Sequence, residues 1–401
     1  MNKATNRLYF IDAIRAWAIL MMLQGHFVDG LLDMDFRDSA NPIFAVWKYF
    51  RGITAPVFFT VSGFIFTYLL VKGEKRLVES GQTGQRNPRI KKGIKRGLEL
   101  LFIGYLLRSN LFGLLSGEVY ASFYLVDVLH CIGLSILGII GVHQLVRKRN
   151  NYLFPLLLFG ITVMLFLFEP AYKSWQLGFL PDAIANYVTK ANGSVFTIFP
   201  WFGYATFGGF LSVLFTWFRE EKFLYPVAIV TSILLGTGLI FGSSEVFLAL
   251  SRATGIQLFA DVFFNNYLFI RLGDVFLVFA LFMLCRKWMQ NRTLLAIGSS
   301  TLSIYVVHFI ILYGSFTGLG LYRFLHHSLS PFVVIGGALA FMFVCTYAAL
   351  EYERNKVDIK LKLATTARYA WVQMEFAGGF VLEFAKEGYY RLLRVFGLEK
   401  N

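Results

Sequence analysis

Ten apolar runs follow one another along the chain, at residues 7–32, 52–72, 97–116, 123–146, 152–170, 195–218, 223–242, 266–285, 294–315 and 331–350. About 20 apolar residues span the ~30 Å of a bilayer's hydrocarbon as an α-helix, and a segment in lipid must satisfy its own backbone hydrogen bonds. The pattern predicts an all-α, polytopic membrane protein of about ten transmembrane helices. Of the 401 residues 57% are apolar and 15% charged, which excludes a soluble globular domain. Residues 1–350 read as the transmembrane domain. Residues 351–401 read as a cytoplasmic tail whose Glu375, Glu383, Glu387, Arg391 and Arg394 oppose Trp371, Phe376, Phe380 and Phe384, an amphipathic helix for the membrane surface.

A net charge of +14 could suggest nucleic acid, but the cations are concentrated between the apolar runs. Alternate connections (72–96, 147–149, 219–222 and 286–292) hold 17 Lys and Arg, against 7 in the others. By the positive-inside rule both termini are cytoplasmic. The expected place is the inner (plasma) membrane of a bacterium, among its lipids, with no nucleic-acid partner. The first run, after Lys3 and Arg7, reads as an uncleaved span rather than a secretory signal. Cys131, Cys285 and Cys345 lie in predicted spans without metal-site spacing, so neither a metal nor a disulfide is expected.

Ionisable residues inside spans are costly and mark cavities or pathways. Arg15 and His26 in the first run are eleven positions apart, which places them within about 20° of one helix face and ~16 Å apart along the axis. Arg108, Asp127, His130, Arg271, Asp274 and His308 join His26 at one level, roughly 6–12 Å below the outer edge of the hydrocarbon. A shared depth on five helices predicts a wet cavity opening outward, with Arg15 reaching it from within. His26 and His130, the latter beside Asp127, are the candidates for acid/base work. Self-neutralising pairs, Asp127 with His130 and Arg271 with Asp274, are the structural alternative. His143, His326 and His327 read as solvated or interfacial. Ser299, Ser300, Thr301 and Ser303 read as bonding to their own helix. Pro56, Thr60, Ser62 and Gly63 read as a close-packing face. The basic loop 73–96, with Arg89, Lys92 and Arg96, is either a topology determinant or a phosphate-binding patch.

Four stretches, IDAIRAWAILMMLQGH, RGITAPVFFTVSGF, VDVLHCIGLS and STLSIYVVHF, together resemble the transmembrane acyltransferases: the acyltransferase-3 family and relatives typified by heparan-α-glucosaminide N-acetyltransferase. Arg15 and His26 match that family's Arg-x10-His spacing. The resemblance implies transfer of an acyl group, usually acetyl, from cytosolic acyl-CoA as donor substrate to a hydroxyl or amine of a glycan acceptor across the membrane. On that reading His26 is base or acyl carrier. Arg15, Arg89, Lys92 and Arg96 meet the coenzyme. Arg108 or His130 stabilises the oxyanion, and Arg271, Asp274 and His308 serve the acceptor end. A secondary transporter or glycan exporter is the alternative class, although the two halves show no matching interrupted helices. Acceptor, O- or N-transfer and the state of association, monomer or homo-oligomer, stay open.

Overall fold

The computed structural model describes residues 8–82, 85–147 and 149–395; among these there are helices and no β-strand. In chain order they are α1 (Tyr9–Leu31), α2 (Pro42–Glu79), α3 (Pro88–Arg108), α4 (Leu111–Leu115), α5 (Val128–Val146), α6 (Leu153–Leu167), α7 (Glu169–Tyr172) and α8 (Asp182–Ala185). There follow α9 (Ile198–Trp217), α10 (Leu224–Thr254), α11 (Gln257–Phe264), α12 (Tyr267–Leu284), α13 (Arg292–Ser299), α14 (Thr301–Tyr313), α15 (Leu321–Leu325) and α16 (Pro331–Val395). Every predicted span falls on helix. By length and apolarity alone six of the described helices can cross a membrane, or seven if the bent pair α13–α14 is one span, so these criteria do not reach the expected ten. The other three expected spans are α1, with four ionisable side chains along it, α3, with its basic first half, and the fifteen-residue α6.

Several helices run past the predicted limits, and their caps explain where they begin. The Asn41 side chain accepts from the Ile43 amide with Pro42 in the first turn, so α2 starts ten residues before position 52 and brings Tyr49 and Arg51 onto the helix. Its 38 residues extend ~57 Å, well beyond the hydrocarbon. Asn87 and Pro88 repeat the arrangement at α3, so much of the predicted loop 73–96 is helical, and Arg89, Lys92 and Arg96 lie on helix. The predicted outer connection 243–265 is helical too. There α10 runs to Thr254, where Gly255 at φ +68° closes it, and α11 follows. At Ser300 the predicted ninth span breaks, and α13 and α14 meet at 70°.

Lipid offers no hydrophobic drive for helix association, so close approach has to come from small residues. Between α2 and α9 a Cβ at Gly63 would stand 1.9 Å from the Ala205 carbonyl oxygen, and one at Gly208 1.8 Å from that of Thr60. The close-packing face predicted around Gly63 is where α9 sits. Gly298 of α13 touches the Asp12 carbonyl of α1 in the same way, at 2.0 Å. Phe10, Ile14, Val57, Phe64, Phe215, Val275 and Phe279 fill the space where α1, α2, α9 and α12 converge.

The chain divides into two compact units, Met1–Tyr347 and Ala348–Asn401. In the second, α16 carries the exposed pair Glu351–Arg354 at 3.2 Å and the half-buried pair Glu353–Lys356 at 3.1 Å, and Trp371, Glu375, Glu383 and Glu387 are exposed. The side chains of Phe376, Phe380, Phe384, Arg391 and Arg394, and residues Lys3 and Arg7, lie outside the described residues.

Candidate active site

His26 is on the next-to-last turn of α1, and one side of it opens on a cavity of about 80 Å³. Met21, Met22 and Gly25 of α1, Arg51, Thr54, Ala55 and Phe58 of α2, Val128 of α5 and Phe196 complete the wall. The Arg51 side chain packs over Gly25 at van der Waals distance. Asp29, one turn on, is ion-paired with Arg51 and, at 3.3 Å, with Arg37. The guanidinium is thereby held over the cavity.

Two side chains of α14 position the imidazole. Tyr313 Oη is 3.0 Å from His26 Nδ1, and the His308 ring stands edge-on at 5.3 Å. His308 is fully buried, its ring in reach of the Ile304 and Tyr305 backbone one turn earlier on α14. Arg51 and Asp127 are within electrostatic reach of His26. The common depth expected from sequence thus becomes actual proximity for His26, His308 and Asp127.

Asp127 and His130 are engaged in building the helix. Asp127 is the N-cap of α5: Oδ1 accepts from the Leu129 amide at 3.0 Å and lies 3.0 Å from His130 Nδ1, and the Asp127 amide donates to that same nitrogen at 3.3 Å. Arg108 Nε donates to Oδ2 at 3.3 Å, while its Nη1 holds the Ser122 carbonyl at 3.2 Å. The i,i+3 pair anticipated from sequence forms, with Arg108 of α3 added across the helices. His130 itself is sealed, with Tyr105 4.4 Å away and Gly104 of α3 directly against its ring. Tyr105 and Tyr187 share a 2.6 Å hydrogen bond at this seal; burial first, then that bond, push the Tyr187 phenol above its ordinary value.

Arg271 and Asp274 form the other expected pair, at 2.8 Å on α12. Tyr49 Oη donates to Asp274 at 2.8 Å, and the Arg271 guanidinium lies 4.4 Å over the Tyr49 ring, in a space kept open by Gly52. None of the three lines the His26 cavity.

Arg15 is tied to the broken span, with Nη2 donating to Thr301 Oγ1 at 3.0 Å and Nη1 3.6 Å from Asp12. Of the hydroxyl tract, Ser299 bonds to its own helix as expected, whereas Thr301 turns to Arg15. The cavity descends from His26 to Met21 and Met22; Arg15, a further ~10 Å along α1, is not in its wall. Arg89 is half-buried at the start of α3, Lys92 and Arg96 are exposed, and Arg96 lies 3.6 Å from Glu99. His143, expected to be solvated or interfacial, is buried and 3.7 Å from Glu74, because α2 continues far enough to cover it.

Sequence reasoning missed Arg51, Asp29, Tyr49, Tyr313 and Thr301 as partners. The signal for Arg51 was present, since it opens the stretch RGITAPVFF, but a span boundary set at 52 left it in a loop. No periodicity could mark Tyr313 or Thr301, which meet their partners across 287 and 286 residues. Among the described residues no group of three or more His, Cys, Asp or Glu side chains is placed to hold a metal ion. No curated protein and no solved structure matches the chain. The family model described as an acyltransferase domain matches residues 8–351.

Proposed function

Because the chain belongs to the transmembrane acyltransferase-3 family, whose domain covers residues 8–351, we propose that it moves an acetyl group from cytosolic acyl-CoA to a hydroxyl or amine of a glycan on the extracytoplasmic side. The observation that carries this reading is the shared wall of His26 and Arg51 around a cavity of about 80 Å³, which suits a two-carbon acyl group.

With Nδ1–H donating to Tyr313 Oη, His26 Nε2 has the free lone pair and takes the acceptor's proton as its oxygen or nitrogen attacks the thioester carbonyl. The carbonyl oxygen gains negative charge in that step, and Arg51 is the cation in the wall to receive it. Arg108 and His130, given this role on sequence grounds, are not in the wall of the cavity. Collapse of the tetrahedral intermediate breaks the carbon–sulfur bond, and the imidazolium returns its proton to the coenzyme thiolate. Arg15, with Arg89, Lys92 and Arg96 on the same side of the chain's expected topology, serves the coenzyme's phosphates and pantetheine.

The test is acetyl-CoA consumption by purified His26→Ala with a panel of glycans as acceptors. Loss of a general base lowers the rate about 10²–10⁴-fold. Full activity in a folded His26→Ala protein removes His26 from the mechanism, and substrate flux without thioester cleavage in the wild type would return the protein to the transporter class.

A further inference from the structure

A second and much larger cavity shares no lining residue with the one at His26 and takes no part in the chemistry above. Helix α10 packs on α12, where a Cβ at Gly236 or Gly273 would stand 3.0 or 2.7 Å from the other's carbonyl oxygen, and its apolar stretch is only 11% buried. Between it and helices α6 and α9 is a cleft of about 960 Å³, at the upper end of the range for ligand sites. Phenylalanines dominate the wall, and Phe159, Phe218, Val227 and Leu235 are exposed, so the cleft is open on the flank of apolar helices that meets lipid. Along α10 the lining runs from Leu224 to Leu239, ~22 Å, enough to cover one leaflet's share of the ~30 Å hydrocarbon.

At one end of the cleft three cations adjoin the wall residues. Where α9 passes into α10, the wall ends at Phe218, Glu221, Leu224 and Met283. Arg219 follows Phe218, its guanidinium 5.9 Å over the Tyr68 ring. Lys222 lies 5.7 Å over Phe223, and Arg286 lies 4.2 Å over Tyr225 while donating to the Met283 carbonyl at 2.9 Å. The aromatic supports hold these cations beside the mouth, and Glu221 is the carboxylate in the wall.

We infer that the cleft between α6, α9 and α10 binds one acyl chain of an anionic phospholipid, with its phosphate at Arg219, Lys222 and Arg286. Apolar shape recruits the chain; the cations select the headgroup.

The experiment takes full-length protein from vesicles of phosphatidylglycerol and phosphatidylethanolamine in equal parts and measures retained lipid by native mass spectrometry. Wild type retains one phosphatidylglycerol per chain. Ala228→Trp and Leu235→Trp, which fill the cleft from two positions, each lower retention at least tenfold, and Arg219→Gln and Arg286→Gln each lower the preference for phosphatidylglycerol about fivefold. A melting curve identifies any variant that has not folded, and the other variants then decide. Wild type without retained lipid, unchanged retention in a folded plugged variant, an isoprenoid phosphate in place of phospholipid, or a dimer that seals the cleft overturns the inference. Acetyl transfer is read separately and does not enter the result.

Discussion

Replacing Asp127 separates a structural carboxylate from a catalytic one. In Asp127→Ala the N-cap of α5 is lost, about 1 kcal/mol, and Arg108 keeps its charge without its carboxylate. A buried pair broken on one side costs ~3–5 kcal/mol. Arg108 falls below that range, at about 2 kcal/mol, because its side chain is 19% exposed and Nη1 still holds the Ser122 carbonyl. The sum is about 3 kcal/mol, or roughly 150-fold in the folding equilibrium. Asp127→Asn should recover the cap, since Asn is as good an N-cap as Asp, and lose mainly the charge pairing with Arg108. Reversible denaturation in mixed micelles reads the stabilities, and acetyl-CoA consumption per folded molecule reads the chemistry. Both variants should keep activity per folded molecule within a few-fold of wild type. An Asp127→Asn protein of wild-type stability that has lost a thousandfold in rate would refute the capping argument and return Asp127 and His130 to the catalytic set.

Arg51→Gln should lower kcat by about 10²–10³ if its charge receives the oxyanion, with Arg51→Lys recovering part of the loss; equal rates in both would exclude the role. Tyr313→Phe removes the hydrogen bond that orients His26, and a drop of about five- to tenfold in kcat with unchanged KM is expected from a steady-state assay. Gly208→Ala puts a methyl where the Thr60 carbonyl stands, so α2 and α9 must separate; it should lower the melting temperature more than Gly242→Ala, which has open space around it. Equal melting temperatures would show that α2 and α9 do not depend on that approach.

Helix limits moved because asparagine–proline caps at 41–42 and 87–88 are stronger local signals than the fall in hydropathy used to end the spans, and that moved Arg51 from loop to helix. Asp127 and Arg271 each met the i,i+3 partner that spacing implies, because one helix turn is enough geometry to bring such groups together. What those pairs do was not legible: Asp127 also caps a helix and holds Arg108, and Arg271 also covers Tyr49.

Hydrophobic run length, Lys and Arg between the runs, and the Arg15–His26 spacing are local quantities, and for that reason the helical membrane fold and the family could be read from the chain alone. Which polar groups stand together is set by contacts between helices hundreds of residues apart. Glycines at 63, 208 and 298 decide how near the backbones come, and the bend at Ser300 decides which side chains α14 presents. Only the packed bundle could therefore place Arg51 beside His26, bring Tyr313 to its ring and leave Arg15 on Thr301 two turns below the cavity.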